Sequence, residues 1–388
     1  MAVPMLRRIL HAGLMILLFA AFGVRAEQSA QPIPADGQCP VAADEHWTAQ
    51  EKFVWSRVCV GAVADFNAEP DYGGDLDPKR PEGLPDNRVL RSTFIESILL
   101  AGKYRNALTR NGVHIVGARF TDVLDLGHAE LVHELWLDRC LLEKGADFAE
   151  ARSTQRIFID RTRASGPISM QDIMFEHDVT IRRSELTALS FNSGHIGGAL
   201  DLDSSKFTGA LDFASLRLAD NLDLSNSEFG DLIMEGANVN ASIVLPGARS
   251  TGQLNLFGIE VGSHLVMNQG EFKDVVVAAA HIHGHFGMPR AKITGMLNLT
   301  AVRVDGNLAI SDTATRNASG CWGSRGSTRR AEGGASRVPG KPSFPQESSA
   351  HAPSLCLPGV VIQRDTPPQL AGLAEAGAAR LRHASVAE

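Results

Sequence analysis

Residues 198–239 read GALDLDSSKFTGALDFASLRLADNLDLSNSEFGDLIMEGANV, and a large apolar residue recurs in them at alternating steps of five and six: Leu202, Phe207, Phe213, Leu218, Leu224 and Phe229. Two residues before these positions the chain alternates between a large side chain, as in Leu200, Leu211 and Leu222, and a small one, as in Ser205 and Ser227. Residues two apart on a strand share a face, so both members of each pair point the same way. Segments this short do not hold helices, and a period this regular is the mark of a repeat rather than a sandwich.

Working outward, the same register runs back to Ile115 and forward to Ile310, with lapses at Ser153, Ala164 and Ser250. A six-residue step contracts to five at Phe191, Met234 and Val277, spaced 43 residues apart, so the larger unit is three doublets of 11 and one of 10. With four sides to a coil, each coil takes 21 or 22 residues, and the 37 sides between Ile115 and Ile310 make about nine coils. At a strand spacing of roughly 4.8 Å the stack is about 43 Å long. The expected fold is an all-β solenoid whose core is a column of stacked apolar side chains.

Gly117-Ala118-Arg119-Phe120, Gly236-Ala237-Asn238-Val239 and Pro289-Arg290-Ala291-Lys292-Ile293 resemble the pentapeptide-repeat proteins, whose unit is a small residue, a polar one, then Leu or Phe and two more. The resemblance covers about 200 residues and implies a right-handed quadrilateral β-helix. The chain departs from the family pattern in that every second side is a longer Leu-x-Leu strand, as in Leu200-Asp201-Leu202 and Leu222-Asp223-Leu224. It looks most like an exported, pentapeptide-like branch, some members of which carry a membrane-associated oxidoreductase label. No nucleotide, flavin or haem motif in these residues supports that label, and no cofactor is expected. The left-handed hexapeptide acyltransferases keep a strict six-residue step on three sides, which does not fit.

The step never leaves five or six between Ile115 and Ile310, so no long insertion builds a pocket on the wall. With no Gly-x-Ser-x-Gly turn, P-loop or His-Glu-x-x-His present, the reading is a non-enzyme. One cluster stands out, His281-Ile282-His283-Gly284-His285. Ile282 is an inward position, which turns His281 and His283 outward and leaves His285 near a corner. One coil earlier the equivalent residues are Glu260, Gly262 and His264; one coil later they are Arg303, Asp305 and Asn307. Stacking brings His264 to His285 and sets Glu260 and Asp305 beside the histidines, making His264, His281, His283 and His285 candidate ligands for a borderline metal such as zinc. The bland reading is a solvated polar ladder. Asp201 and Asp223 should likewise stack, as surface residues or, by resemblance to pentapeptide-repeat DNA mimics, as part of an acidic wall.

The flanks read differently. Arg7 and Arg8, an apolar run from Ile9 to Val24 broken only by His11, and Val24-Arg25-Ala26 make residues 1–26 a secretory signal peptide. Its removal takes the formal charge of the 388-residue chain from −7 to −10, which argues against nucleic-acid binding through a basic surface. The apolar run is shorter than a spanning helix needs, and no comparable run follows, so the mature chain has no expected transmembrane span. Residues 27–111 read as a helical cap region. The capping box Thr48-Ala49-Gln50-Glu51 starts a helix expected to reach about Asp65, and a second helix follows Asp86 and ends near Gly102. The repeat proper spans 112–313. Residues 314–388 form a low-complexity tail read as disordered, with a short helix at 371–384.

Of the five cysteines, Cys39 can pair with Cys59 and Cys321 with Cys356, leaving Cys140 inward as a small buried hydrophobe. The leading functional expectation is an exported, periplasmic or envelope scaffold that binds an envelope protein, or itself through the open end of the solenoid, with no nucleic acid and no small-molecule substrate. The alternatives are a metal-dependent or oxidoreductase-like envelope protein using the four histidines, and a cytoplasmic DNA mimic that requires an unused leader.

Overall fold

The computed structural model describes residues 39–80, 84–310 and 313, together with the backbone of 314–319 and 361–362. The leader, the Cys321 and Cys356 pair and the helix expected at 371–384 lie outside the described residues. What is described is a parallel β-solenoid of about nine turns with three short helices at its N-terminal end.

Four faces build each coil. The first runs through Val113–Val116, Leu135–Asp138, Ile157–Asp160 and Val179–Arg182 and on to Leu308–Ala309. The second starts at Arg119–Phe120, the third at Leu124–Asp125, and they join in one strand that rounds a corner, Lys292–Asn298. The fourth runs from Glu130–Leu131 to Arg303–Val304. Every pairing is parallel and in the register the period demands, for example Leu200 beside Leu222 and Asp201 beside Asp223. All the inward positions of the sequence register are buried except Ile310 at the last turn, and even the lapses at Ser153, Ala164 and Ser250 point in. Each large side chain so enclosed contributes roughly 1.5–3 kcal/mol.

The corners explain the 43-residue unit. A left-handed backbone residue recurs at His128, Arg139, Glu150, Arg161, Asp172 and Arg183, eleven residues apart, and the interval falls to ten at Ser193, Gly236 and Ala279. Those short intervals contain the contracted steps at Phe191, Met234 and Val277. Before many of these corners the middle residue of the Leu-x-Leu strand accepts a hydrogen bond from the amide two residues on, as Asp223 Oδ1 does from Ser225 N at 2.8 Å and Asp147 Oδ1 from Ala149 N at 2.8 Å. This Asx turn gives the outward aspartates a local structural task.

At the N-terminal end, α1 (Ala49–Val58) carries the expected capping box, with Glu51 N donating to Thr48 Oγ1 and Thr48 N to Glu51 Oε2. The helix stops well before Asp65, because Gly61 takes a left-handed conformation and Ala64–Asp65 becomes a strand beside Ile115–Val116. The second expected helix is divided into a 3-10 turn at Asp86–Arg88, α2 (Ser92–Leu100) and α3 (Gly102–Arg105). Covering an otherwise open sheet edge decides these departures. Ala64–Asp65 pairs with the first face, Leu90 N donates to Arg119 O on the second, and Asp125 N on the third donates to Ser92 Oγ.

Two charged groups lock the cap. Glu51 is fully buried and takes both Arg91 Nε at 2.7 Å and Arg91 Nη2 at 2.6 Å. Arg88, also buried, donates to Tyr72 O, Asn67 Oδ1 and Gly74 O. Gly117 lies so close that a Cβ there would meet Arg88 Nη1 at 2.8 Å. A disulfide joins Cys39 to Cys59, as the spacing allows, and Cys140 is free and buried, with its thiol pushed up to about 12 by that burial.

The strand pairing continues past the boundary read at 313. The backbone of Ala314–Ser319 pairs with Lys292–Asn298, and Val361–Ile362 pairs with Arg303–Val304. Ala-Thr-Arg-Asn-Ala-Ser holds no large apolar residue, so an extra partial coil held by its backbone leaves no hydrophobic period to read.

Candidate functional site

The histidine motif sits where the stacking argument puts it. His281 pairs in register with Glu260 before it and Arg303 after it on the fourth face. The structure separates the four histidines into two pairs with different work.

His264 and His285 lie at the corner leading from the fourth face to the first. Their rings stack in parallel, 5.0 Å between centroids. His264 Nδ1 accepts the His285 amide at 2.9 Å, and His285 Nδ1 accepts the Asn307 amide at 2.9 Å. These bonds extend a corner ladder in which Asn221 Oδ1 accepts from Ser242 N and Ser242 Oγ from His264 N. An imidazole here takes the position that an amide or hydroxyl oxygen fills in earlier coils. An Nδ1 that accepts must be unprotonated, which fixes a neutral ring with its proton on Nε2. Burial, then the neighbouring His285, lowers the pKa of His264 in the same sense.

His281 and His283 stand on the open wall with ring centroids 3.9 Å apart. His281 Nε2 lies 3.0 Å from Asp305 Oδ2; His283 Nε2 lies 3.2 Å from Glu260 Oε1, and its Nδ1 lies 3.3 Å from the same Asp305 oxygen. Arg303 Nε donates to Asp305 Oδ1 at 2.9 Å. The hydrogen bonds from His281 and Arg303 hold the Asp305 carboxyl below the usual carboxylate range. Among the described residues, Glu260, His281 and His283 form one group whose donor atoms all lie within 4.8 Å of one another. Two successive coils supply these three side chains and a third supplies Asp305, so their spacing is inherited from the solenoid rise and not from a loop.

One concavity lay beyond sequence reasoning. The loop after Gly74 straps across the corner between the first and second faces and leaves an open hollow of about 440 Å³ lined by Asp75, Asp77, Lys79, Arg80, Arg139 and Arg161. Half or more of its charged side chains already have partners. Arg139 pairs with Asp75, Arg161 with buried Asp138, and Lys79 Nζ donates to Arg183 O. The sequence carries no sign of it beyond a Pro-, Gly- and Asp-rich loop. On the first face, an outward aromatic row of His114, Trp136 and Phe158 has ring centroids 5.0 Å apart at each step.

No protein-family model, curated protein or solved structure matches this chain. Among the described residues, no helix is long and apolar enough to cross a membrane.

Proposed function

We propose that the protein is an exported, non-catalytic β-solenoid of a pentapeptide-like branch, serving as a protein-binding or structural scaffold in the cell envelope. The observation that carries this reading is the unbroken wall: coils of 21 or 22 residues follow one another from Val113 to Ala309 with no inserted loop, so the body offers extended surface in place of a pocket. The aromatic row at His114, Trp136 and Phe158 gives that surface one region suited to a protein partner, since aromatic side chains are enriched at such contacts. The leader residues and the Cys39–Cys59 disulfide support an oxidising compartment. Envelope partners and end-to-end contact through the last coil belong to the same reading.

Expression of the full chain in a Gram-negative host, followed by fractionation and N-terminal sequencing, tests export. The expected product is periplasmic and starts at Glu27; an intact leader on cytoplasmic protein overturns export and revives the DNA-mimic reading. A photo-crosslinking residue at Phe158 tests the wall: a discrete protein adduct there, absent when the probe replaces Lys206 on the second face, is the expected result. Equal or absent adducts at both positions contradict it.

A further inference from the structure

We propose that the Glu260–His281–His283 group on the fourth face is a binding site for a divalent transition-metal ion of the zinc class, with Asp305 orienting His283. The inference stands apart from the scaffold reading and survives its failure.

Both ring nitrogens of His283 face carboxylate oxygens, Glu260 Oε1 at 3.2 Å from Nε2 and Asp305 Oδ2 at 3.3 Å from Nδ1. A neutral imidazole has a single N–H, so one lone pair must confront an anionic oxygen unless a cation lies between them. Asp305 Oδ2 lies close enough to hold a proton on Nδ1 once Nε2 exchanges Glu260 Oε1 for the ion that both would share. That is the usual arrangement of a metal-bound histidine, whose second nitrogen is held by a carboxylate. His283 Nε2 and Glu260 Oε1 are already near the separation of two donors on one tetrahedral zinc, about 3.4 Å for bonds of roughly 2.0–2.1 Å. His281 Nε2, now hydrogen-bonded to Asp305 Oδ2 at 3.0 Å, would exchange that partner for the ion, completing three protein ligands and leaving a fourth position for water.

The donor set is two imidazoles and a carboxylate, chemistry that suits zinc, cobalt, nickel or copper(II) and not calcium or magnesium. Arg303 offsets the charge of Asp305, so the ion meets a single net negative charge. His264 and His285 are outside the site because their Nδ1 atoms are engaged in the corner ladder.

The test uses full-length protein without a polyhistidine tag, stripped with chelator, exposed to zinc chloride, desalted and assayed for metal, with affinity taken from competition against a chromogenic chelator. The expected result is one retained zinc per chain. His281→Ala/His283→Ala should fall to background and Glu260→Gln should bind at least tenfold more weakly. Cys321→Ser/Cys356→Ser should retain the zinc, which separates this site from thiol binding in the tail. Circular dichroism melts establish that the variants are folded, and Arg303→Ala gives an independent arm in which zinc should bind more tightly. No retained zinc in the parent chain, or equal retention in the folded His281→Ala/His283→Ala variant, overturns the proposal.

Discussion

The corner between the first and second faces is built in two ways. In the coils from Thr162 to Ser227 its inward position carries a hydroxyl, and the amide one coil before reaches it: Cys140 N donates to Thr162 Oγ1, Thr162 N to Ser184 Oγ, Ser184 N to Ser205 Oγ and Ser205 N to Ser227 Oγ, at 3.1–3.2 Å. In the later coils the position holds Ala248, Gly270 and Ala291, and each amide folds back on the carbonyl three residues earlier, as Ala248 N does on Leu245 O at 3.2 Å. Ser227 sits at the join, its hydroxyl serving the coil before and its own amide turning back to Leu224 O. Both solutions satisfy the buried amide. One ties coil to coil and the other closes each corner on itself, while the apolar column beneath is the same. The column therefore sets the fold, and the ladder adjusts how firmly neighbouring coils are joined.

The largest effect should come from damage to the apolar column that both halves share. Leu224→Asp and Leu256→Asp each place a charge in the column, and both should unfold or aggregate the protein, read as loss of the cooperative melt. If Leu224→Asp melted like the parent chain, the register would be wrong. A finer test separates the halves. Ser184→Ala removes a buried hydroxyl that accepts from Thr162 N and donates to Arg182 O, so urea unfolding should show a loss of about 1–2 kcal/mol, less where the amide recovers an i−3 carbonyl. Ala248→Ser offers Ser227 N an acceptor it does not need, and should stay within about 0.5 kcal/mol of the parent. Equal costs at the two positions would erase the distinction.

Acidity sharpens it from outside the corner. Burial raises Asp201 to about 6 from an ordinary 3.8, so the stability linked to this group is complete below pH 3.8 and is lost as pH rises through 6. Asp201→Asn should flatten that window and gain about 1 kcal/mol at pH 7, discounted for partial exposure. Glu51 in the cap has the opposite sign. Burial pushes its carboxyl up, but hydrogen bonds from Arg91 and the Thr48 amide bring it below 4.5 overall, so the stability it supplies above that pH fades on further acidification. The smallest effect belongs to Asp223→Asn, whose amide oxygen still accepts from Ser225 N; its melting temperature should barely move.

The inward column was legible because large apolar side chains fill nearly all of it, and their step of five or six survives even where Ser153, Ala164 and Ser250 intervene. The hydroxyl ladder was not, since serine and alanine both read as small residues and only the structure reveals which amide each one serves. The stacking of His264 with His285, and of His281 with Glu260 and Arg303, followed from the coil length alone. That His264 and His285 act as corner acceptors required the corner geometry, which spacing does not encode. The strands at 64–65 and 314–319 were hidden for a related reason: they add to existing edges through backbone hydrogen bonds and need no pattern of their own.

The register of the coils underlies both the wall and the metal site, and paired cysteines report on it. Asp201 and Asp223 are direct neighbours on adjacent coils, whereas Asp201 and Val244 are separated by a whole coil, beyond the Cα distance of about 7 Å that a disulfide spans. Under mild oxidation Asp201→Cys/Asp223→Cys should form an intramolecular disulfide, identified by peptide mass spectrometry, while Asp201→Cys/Val244→Cys remains reduced. Crosslinking of the second pair without the first would contradict the stacked coils on which the wall and the metal site both depend.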